Sequence, residues 1–136
     1  MSELDGALAC ADLAIFCVPS TPETENIVNE ERLALMKPSA YLINVGRGTA
    51  VDIGALIKAL EEGRLAGAAL DVFPEEPVPD DSPVWDAPNL LMTPHVAGND
   101  TLAETRRLNC AMFCEDLENY AAGRPLVHAV DRKLGY

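Results

Sequence analysis

The sequence predicts an α/β fold on a mostly parallel sheet, and three features carry that expectation. Short apolar runs alternate with helix-patterned segments, the connections are short, and several runs stop at a Pro or Gly. Strand–helix–strand order through short connections implies parallel strands with helices on the faces of the sheet.

Leu13 to Val18 is apolar without a helical period and stops at Pro19, as a buried strand does. A Pro- and Thr-rich loop from Ser20 to Asn26 follows. Asn29 caps a short helix carrying Leu33 and Met36, which Lys37-Pro38 ends. Tyr41 to Val45 is a second buried strand, closed by Gly46-Arg47-Gly48. Asp52 caps an amphipathic helix in which Ile53, Leu56, Ile57 and Leu60 fall three and four apart, and Gly63 ends it. Ala66 to Val72 is a third strand. Phe73 to Asn89 is a long acidic, Pro-rich loop around Trp85, and loops of that length are functional or disordered. Leu90 to Thr93 is a fourth strand, stopped by Pro94. Thr101-Leu102-Ala103-Glu104 is a capping box that opens the longest helix, which runs to Ala122 before Gly123 and Pro125. The last segment, 126–136, reads as a tail in extended form or leaving the domain, so the expected organisation is one domain over 1–125 and a tail.

With 136 residues, 49% of them hydrophobic, the chain is long enough for one core. No apolar run approaches the ~20 residues of a membrane span. The acidic start Ser2-Glu3-Leu4-Asp5 is unlike a secretion signal, so a cytoplasmic address is expected. The net charge of -12 argues against a nucleic-acid partner, since no basic face displaces counterions. Cys10, Cys17, Cys110 and Cys114 form no C-x-x-C pair and have neither His95 nor His128 beside them, so they read as small buried hydrophobes rather than bridges or metal ligands.

Ligands of open parallel sheets bind at the carboxyl ends of the strands. Arg47, Asp71, Glu76 and His95 all fall there. Arg47, between two glycines, suits two parallel hydrogen bonds to a carboxylate, and equally suits a plain surface turn. His95 titrates near neutrality and serves as a proton donor or acceptor, although a lone histidine also serves as a structural hydrogen-bonder. A carboxylate such as Glu76 bonded to an imidazole orients it and favours its protonated form, while a loop acid is otherwise simply solvated. Asp71 suits a carboxamide partner or a turn cap. No nucleophile elbow and no metal-ligand cluster appears, which leaves hydride or proton transfer on a small anionic carbonyl compound.

Five motifs then converge in order: Val18-Pro19-Ser20-Thr21-Pro22-Glu23-Thr24, Leu33-Ala34-Leu35-Met36-Lys37-Pro38, Asn44-Val45-Gly46-Arg47-Gly48, Ala68-Ala69-Leu70-Asp71-Val72-Phe73 and Thr93-Pro94-His95-Val96-Ala97-Gly98. The chain resembles the D-isomer-specific 2-hydroxyacid dehydrogenases, which include phosphoglycerate dehydrogenase and glyoxylate/hydroxypyruvate reductase. The resemblance implies the second half of a doubly wound, Rossmann-like NAD-binding domain. It implies a 2-oxoacid substrate bound by Arg47, an acid/base His95 and an orienting Glu76, with NAD or NADP as the hydride donor. It further implies cofactor contacts from Val18, Pro19, Val45, Gly46, Arg47, Asp71, His95, Ala97 and Gly98, with Asp71 at the nicotinamide carboxamide. Glu76 sets the chain apart from the formate dehydrogenase branch. The family's substrate-binding segment and its G-x-G-x-x-G half have no counterpart here, so the chain aligns from just before the family's fourth strand to its end. Two expectations follow: a dehydrogenase, or a half-domain that folds and self-associates as a homo-oligomer but binds cofactor weakly.

Overall fold

The computed structural model describes residues 3–98 and 102–134. The chain divides into two compact units, Met1–Ala97 and Gly98–Tyr136. The sequence-based division at 125/126 follows the end of the longest helix, whereas this one follows compactness.

The first unit holds α1 (Glu3–Cys10), β1 (Leu13–Phe16), α2 (Glu30–Leu33), β2 (Tyr41–Asn44), α3 (Ile53–Glu61), β3 (Gly67–Leu70) and β4 (Leu90–Met92). The strands form one parallel sheet in the order β1-β2-β3-β4. In register, Phe16 pairs with Asn44, Asn44 with Leu70, and Leu70 with Met92. The four carboxyl ends therefore lie in one row, and every segment that leaves them emerges along a single edge.

Each strand is shorter than the sequence suggests. Val45, Asp71 and Thr93 still donate across the ladder, to the carbonyls of Phe16, Asn44 and Leu70, and the chain then turns away. The residues released from pairing at that point are those singled out for chemistry.

Helix caps anticipated from sequence are present. Asn29 accepts from the Arg32 amide at 3.0 Å, and Asp52 accepts from the Ala55 amide at 3.0 Å. Gly63 ends α3 with φ +64°, a left-handed backbone that glycine adopts without steric cost. Leu8 of α1, Leu33 of α2 and Leu56 and Leu60 of α3 pack with Ala14, Phe16, Leu42, Ala68 and Leu70 in one core. All three helices therefore cover the same face.

Two expectations are corrected here. The strands were read as buried on both faces, but β1 alternates exposed and buried, and Leu13, Ile15, Tyr41 and Leu91 lie open on the other face. Both faces are apolar in sequence, so no alternation revealed it. The cysteines were read as buried, and all four are exposed and unbridged. Cys17 continues the open row of Leu13 and Ile15, and Cys110 and Cys114 sit on a helix with no buried residue.

The second unit is built on α4 (Ala103–Ala121). Leu102 occupies its N-cap position without a side-chain cap, and Thr101 of the expected capping box lies outside the described residues. Gly123, at φ +66°, ends the helix. The tail is not free of it: the Asp116 carboxylate accepts the Val127 amide at 2.7 Å and the His128 amide at 3.1 Å.

Candidate active site

Asn44, fully buried at the end of β2, builds the turn that presents Arg47. Its Oδ1 accepts the Gly46 amide at 3.1 Å, and its Nδ2 donates to the Arg47 carbonyl at 2.9 Å. Both glycines of the turn are there for closeness. A Cβ on Gly46 would lie 2.7 Å from the Val18 carbonyl oxygen, and one on Gly48 would lie 1.9 Å from the Phe73 carbonyl carbon. The turn is thus pinned between the segments that follow β1 and β3. Arg47 donates to the Gly46 carbonyl at 2.8 Å, and among the described residues no carboxylate lies within ion-pair distance of its guanidinium. That leaves its remaining donors for an anion.

After β4 the chain makes a turn around Asp71. This buried carboxylate accepts the Thr93 hydroxyl, the Val96 amide at 2.9 Å on Oδ1 and the Ala97 amide at 2.9 Å on Oδ2. The His95 amide donates to the Asp71 carbonyl at 2.9 Å. Burial pushes the Asp71 carboxyl up, but these hydrogen bonds outweigh it and hold it below its ordinary 3.8. Within the turn His95 has φ +53°, a left-handed conformation that costs a side-chain-bearing residue about 1–2 kcal/mol.

His95 Nδ1 meets Glu76 Oε2 at 2.7 Å, and the other oxygen of Glu76 accepts the Phe73 amide at 2.8 Å. The bond from His95, followed by that amide, holds the Glu76 carboxyl below its ordinary 4.5. The carboxylate is thus fixed as an anion against one imidazole nitrogen. Among the described residues Nε2 has no protein partner.

The expected catalytic residues come together. Arg47, Glu76 and His95 line one cavity of about 250 Å³ with Ser20, Thr49 and Phe73. A second cavity, of about 360 Å³, is also lined by Glu76 and His95 and is walled by Trp85, Met92, Val78 and Pro94. The long loop is ordered: Pro83–Asp86 forms a 3-10 turn, Val84 is its buried anchor, and Trp85 Nε1 donates to the Pro79 carbonyl at 2.8 Å. Of the expected cofactor contacts, Val18 adjoins Gly46, Val45 is tied to Phe16, and Ala97 to Asp71. Pro19 accepts the Thr24 hydroxyl at 2.7 Å, and Gly98 opens the second unit. Sequence reasoning missed the roles of Asn44 and Thr93, although each polar residue closing an apolar strand was a visible signal.

The family model "D-isomer specific 2-hydroxyacid dehydrogenase, NAD binding domain" matches residues 1–97. The chain belongs to this family. Among similar proteins in the family, glyoxylate reductase from Pyrococcus furiosus is 50% identical over 120 residues, 88% of this chain and 35% of that protein. Glyoxylate reductase from Thermofilum pendens is 46% identical over 110 residues, 81% of this chain and 32% of that one. In structure, a D-isomer specific 2-hydroxyacid dehydrogenase from Xanthobacter autotrophicus, in complex with NADPH and MES, gives a TM-score of 0.84 at 41% identity, covering 98% of this chain and 53% of that one. An NADPH-dependent glyoxylate/hydroxypyruvate reductase from Sinorhizobium meliloti, in complex with NADP and sulfate, gives 0.82 at 33% identity over 98% and 42%. The chain thus spans between about a third and about half of the relatives it matches, and its sheet is the family's Rossmann NAD-binding fold.

Asp71 retains room for one further donor. A carboxylate has about four acceptor positions, and the protein fills three on Asp71, which leaves one on Oδ2 for an amide donor. The sequence offers no G-x-G-x-x-G for the pyrophosphate.

Proposed function

We propose that this chain carries the catalytic side of an NAD(P)-dependent oxidoreductase acting on the CH–OH group of D-2-hydroxyacids, working as a reductase of small 2-oxoacids. The observation that supports it is a single cavity lined by an arginine that, among the described residues, has no ionic partner and by an imidazole held by a carboxylate. Arg47 binds the substrate carboxylate through two parallel hydrogen bonds, which fixes the carbonyl as well as the charge. When bound, the reduced nicotinamide supplies hydride to the carbonyl carbon. His95, held at Nδ1 by Glu76, donates the Nε2 proton to the oxygen as charge develops there. Glu76 remains ionised because its two hydrogen bonds favour the anion, so it stabilises the imidazolium until the proton leaves. Val18, Pro19, Val45, Gly46 and Ala97 line the cofactor with backbone, and Asp71 takes one hydrogen of the carboxamide at its remaining position. Glyoxylate and hydroxypyruvate are the substrates to try first, because relatives carry those names.

The apolar sheet face left open at Leu13, Ile15, Tyr41 and Leu91 favours a second reading, a half-domain that folds and self-associates but binds cofactor weakly. A titration with reduced cofactor separates the two. Trp85 is the only tryptophan and shares a cavity wall with His95, so its emission reports on the site. Saturable quenching in the micromolar range supports the reductase. No response up to millimolar cofactor supports the half-domain.

A further inference from the structure

We infer that Asp71 is a positioning residue for His95: its buried carboxylate ties down both ends of the Thr93–Ala97 turn and so aims the imidazole at Glu76. This rests on the reading of His95 as the proton donor. Thr93 precedes His95 by two residues, and Val96 and Ala97 follow it directly. All three donate to the same carboxylate, so the left-handed backbone at His95, φ +53°, is closed from both sides. A fourth tie, from the His95 amide to the Asp71 carbonyl, fixes the turn to the end of β3. Glu76 is carried by the loop leaving that same strand, and its Oε1 is anchored at the Phe73 amide. The two partners of the 2.7 Å Nδ1–Oε2 contact are therefore both referenced to Asp71 and the residues just beyond it. A left-handed non-glycine residue persists only where its surroundings over-determine it, and Asp71 supplies that determination.

An uncharged replacement separates positioning from packing. Asp71→Asn keeps the shape but turns an acceptor into a donor, which then faces an amide N–H. Thr93→Val removes one hydrogen bond at constant shape, and Thr93→Ser keeps it. The experiment is proton–nitrogen NMR of the full chain, following the Val96 and Ala97 amides and the His95 Nδ1 proton, with Leu42 and Leu56 methyls as the fold control. In Asp71→Asn we expect those amides to exchange at least tenfold faster and the Nδ1 proton signal to vanish while the methyls stay in place. Thr93→Val should give a smaller loss in the same direction, and Thr93→Ser none. Unchanged amides and Nδ1 signal in a folded Asp71→Asn overturn the inference. If that variant does not fold, an unchanged Nδ1 signal in Thr93→Val overturns it. Loss of the signal in a protein that reduces no 2-oxoacid would sink the functional reading and leave the positioning role standing.

Discussion

Gly48 shows how little freedom a single position in this site has. Its Cα faces the Phe73 backbone so closely that an added methyl would sit 1.9 Å from the carbonyl carbon. Backbone cannot yield as a flexible side chain does, so Gly48→Ala should separate the Arg47 turn from the loop that carries Glu76. We expect a loss of about 1–3 kcal/mol in urea unfolding, with weaker binding of a 2-oxoacid at the Arg47 cavity. Asn44 is the complementary case, because its amide spans the same turn from within. Asn44→Leu leaves the Gly46 amide and the Arg47 carbonyl without that partner, and should lower stability by about 1–3 kcal/mol. What the sequence offered at this level was a set of residues that the fold brings together, since Arg47, Glu76 and His95 all line one cavity. It did not disclose who holds them. Asn44 and Thr93 look like ordinary strand-end polar residues until the register shows what their side chains reach.

Helix α3 was the most legible element because three independent signals agreed: a cap, a three-and-four spacing and a terminal glycine. Its apolar stripe enters the core that also holds the buried face of the sheet. Asp52→Ala should cost about 1 kcal/mol through the unsatisfied Ala55 amide, and Leu56→Ala about 2–5 kcal/mol through the cavity it leaves. Both are read from denaturation midpoints at constant slope. Helix α1 escaped notice because Leu8 is its one buried residue, so little periodicity marks it. The strands were found but overextended, because apolar character continues into Val18, Val45 and Val72 after pairing ends. Burial on one face stayed hidden for the same reason: both sides of the sheet are apolar, and only the placement of the helices distinguishes them.

For the molecule as a whole, the two site carboxylates link folding to pH. Asp71 and Glu76 both lie below their ordinary values of 3.8 and 4.5 in the folded state. A depressed folded value means that the unfolded chain takes up protons first. The stability these groups add is therefore complete above the ordinary values and is lost as the pH falls through the folded ones. Thermal unfolding should show that acid loss, and Glu76→Gln should make it shallower; equal slopes would exclude Glu76 as a contributor. The open sheet face bearing Leu13, Ile15, Tyr41 and Leu91 bears on assembly, because parallel sheets are ordinarily covered on both faces. If homo-oligomers form over it, light scattering should give a mass that rises with concentration, and Ile15→Lys should abolish the rise. A constant monomer mass would end the self-association reading. Most direct of all is the consumption of reduced NAD or NADP with glyoxylate or hydroxypyruvate, compared between the wild-type chain and His95→Asn. A reductase working through His95 predicts measurable turnover that falls by about 10²–10⁴-fold in the variant. Equal rates in the two proteins, or no consumption in the wild type at saturating cofactor, would contradict it.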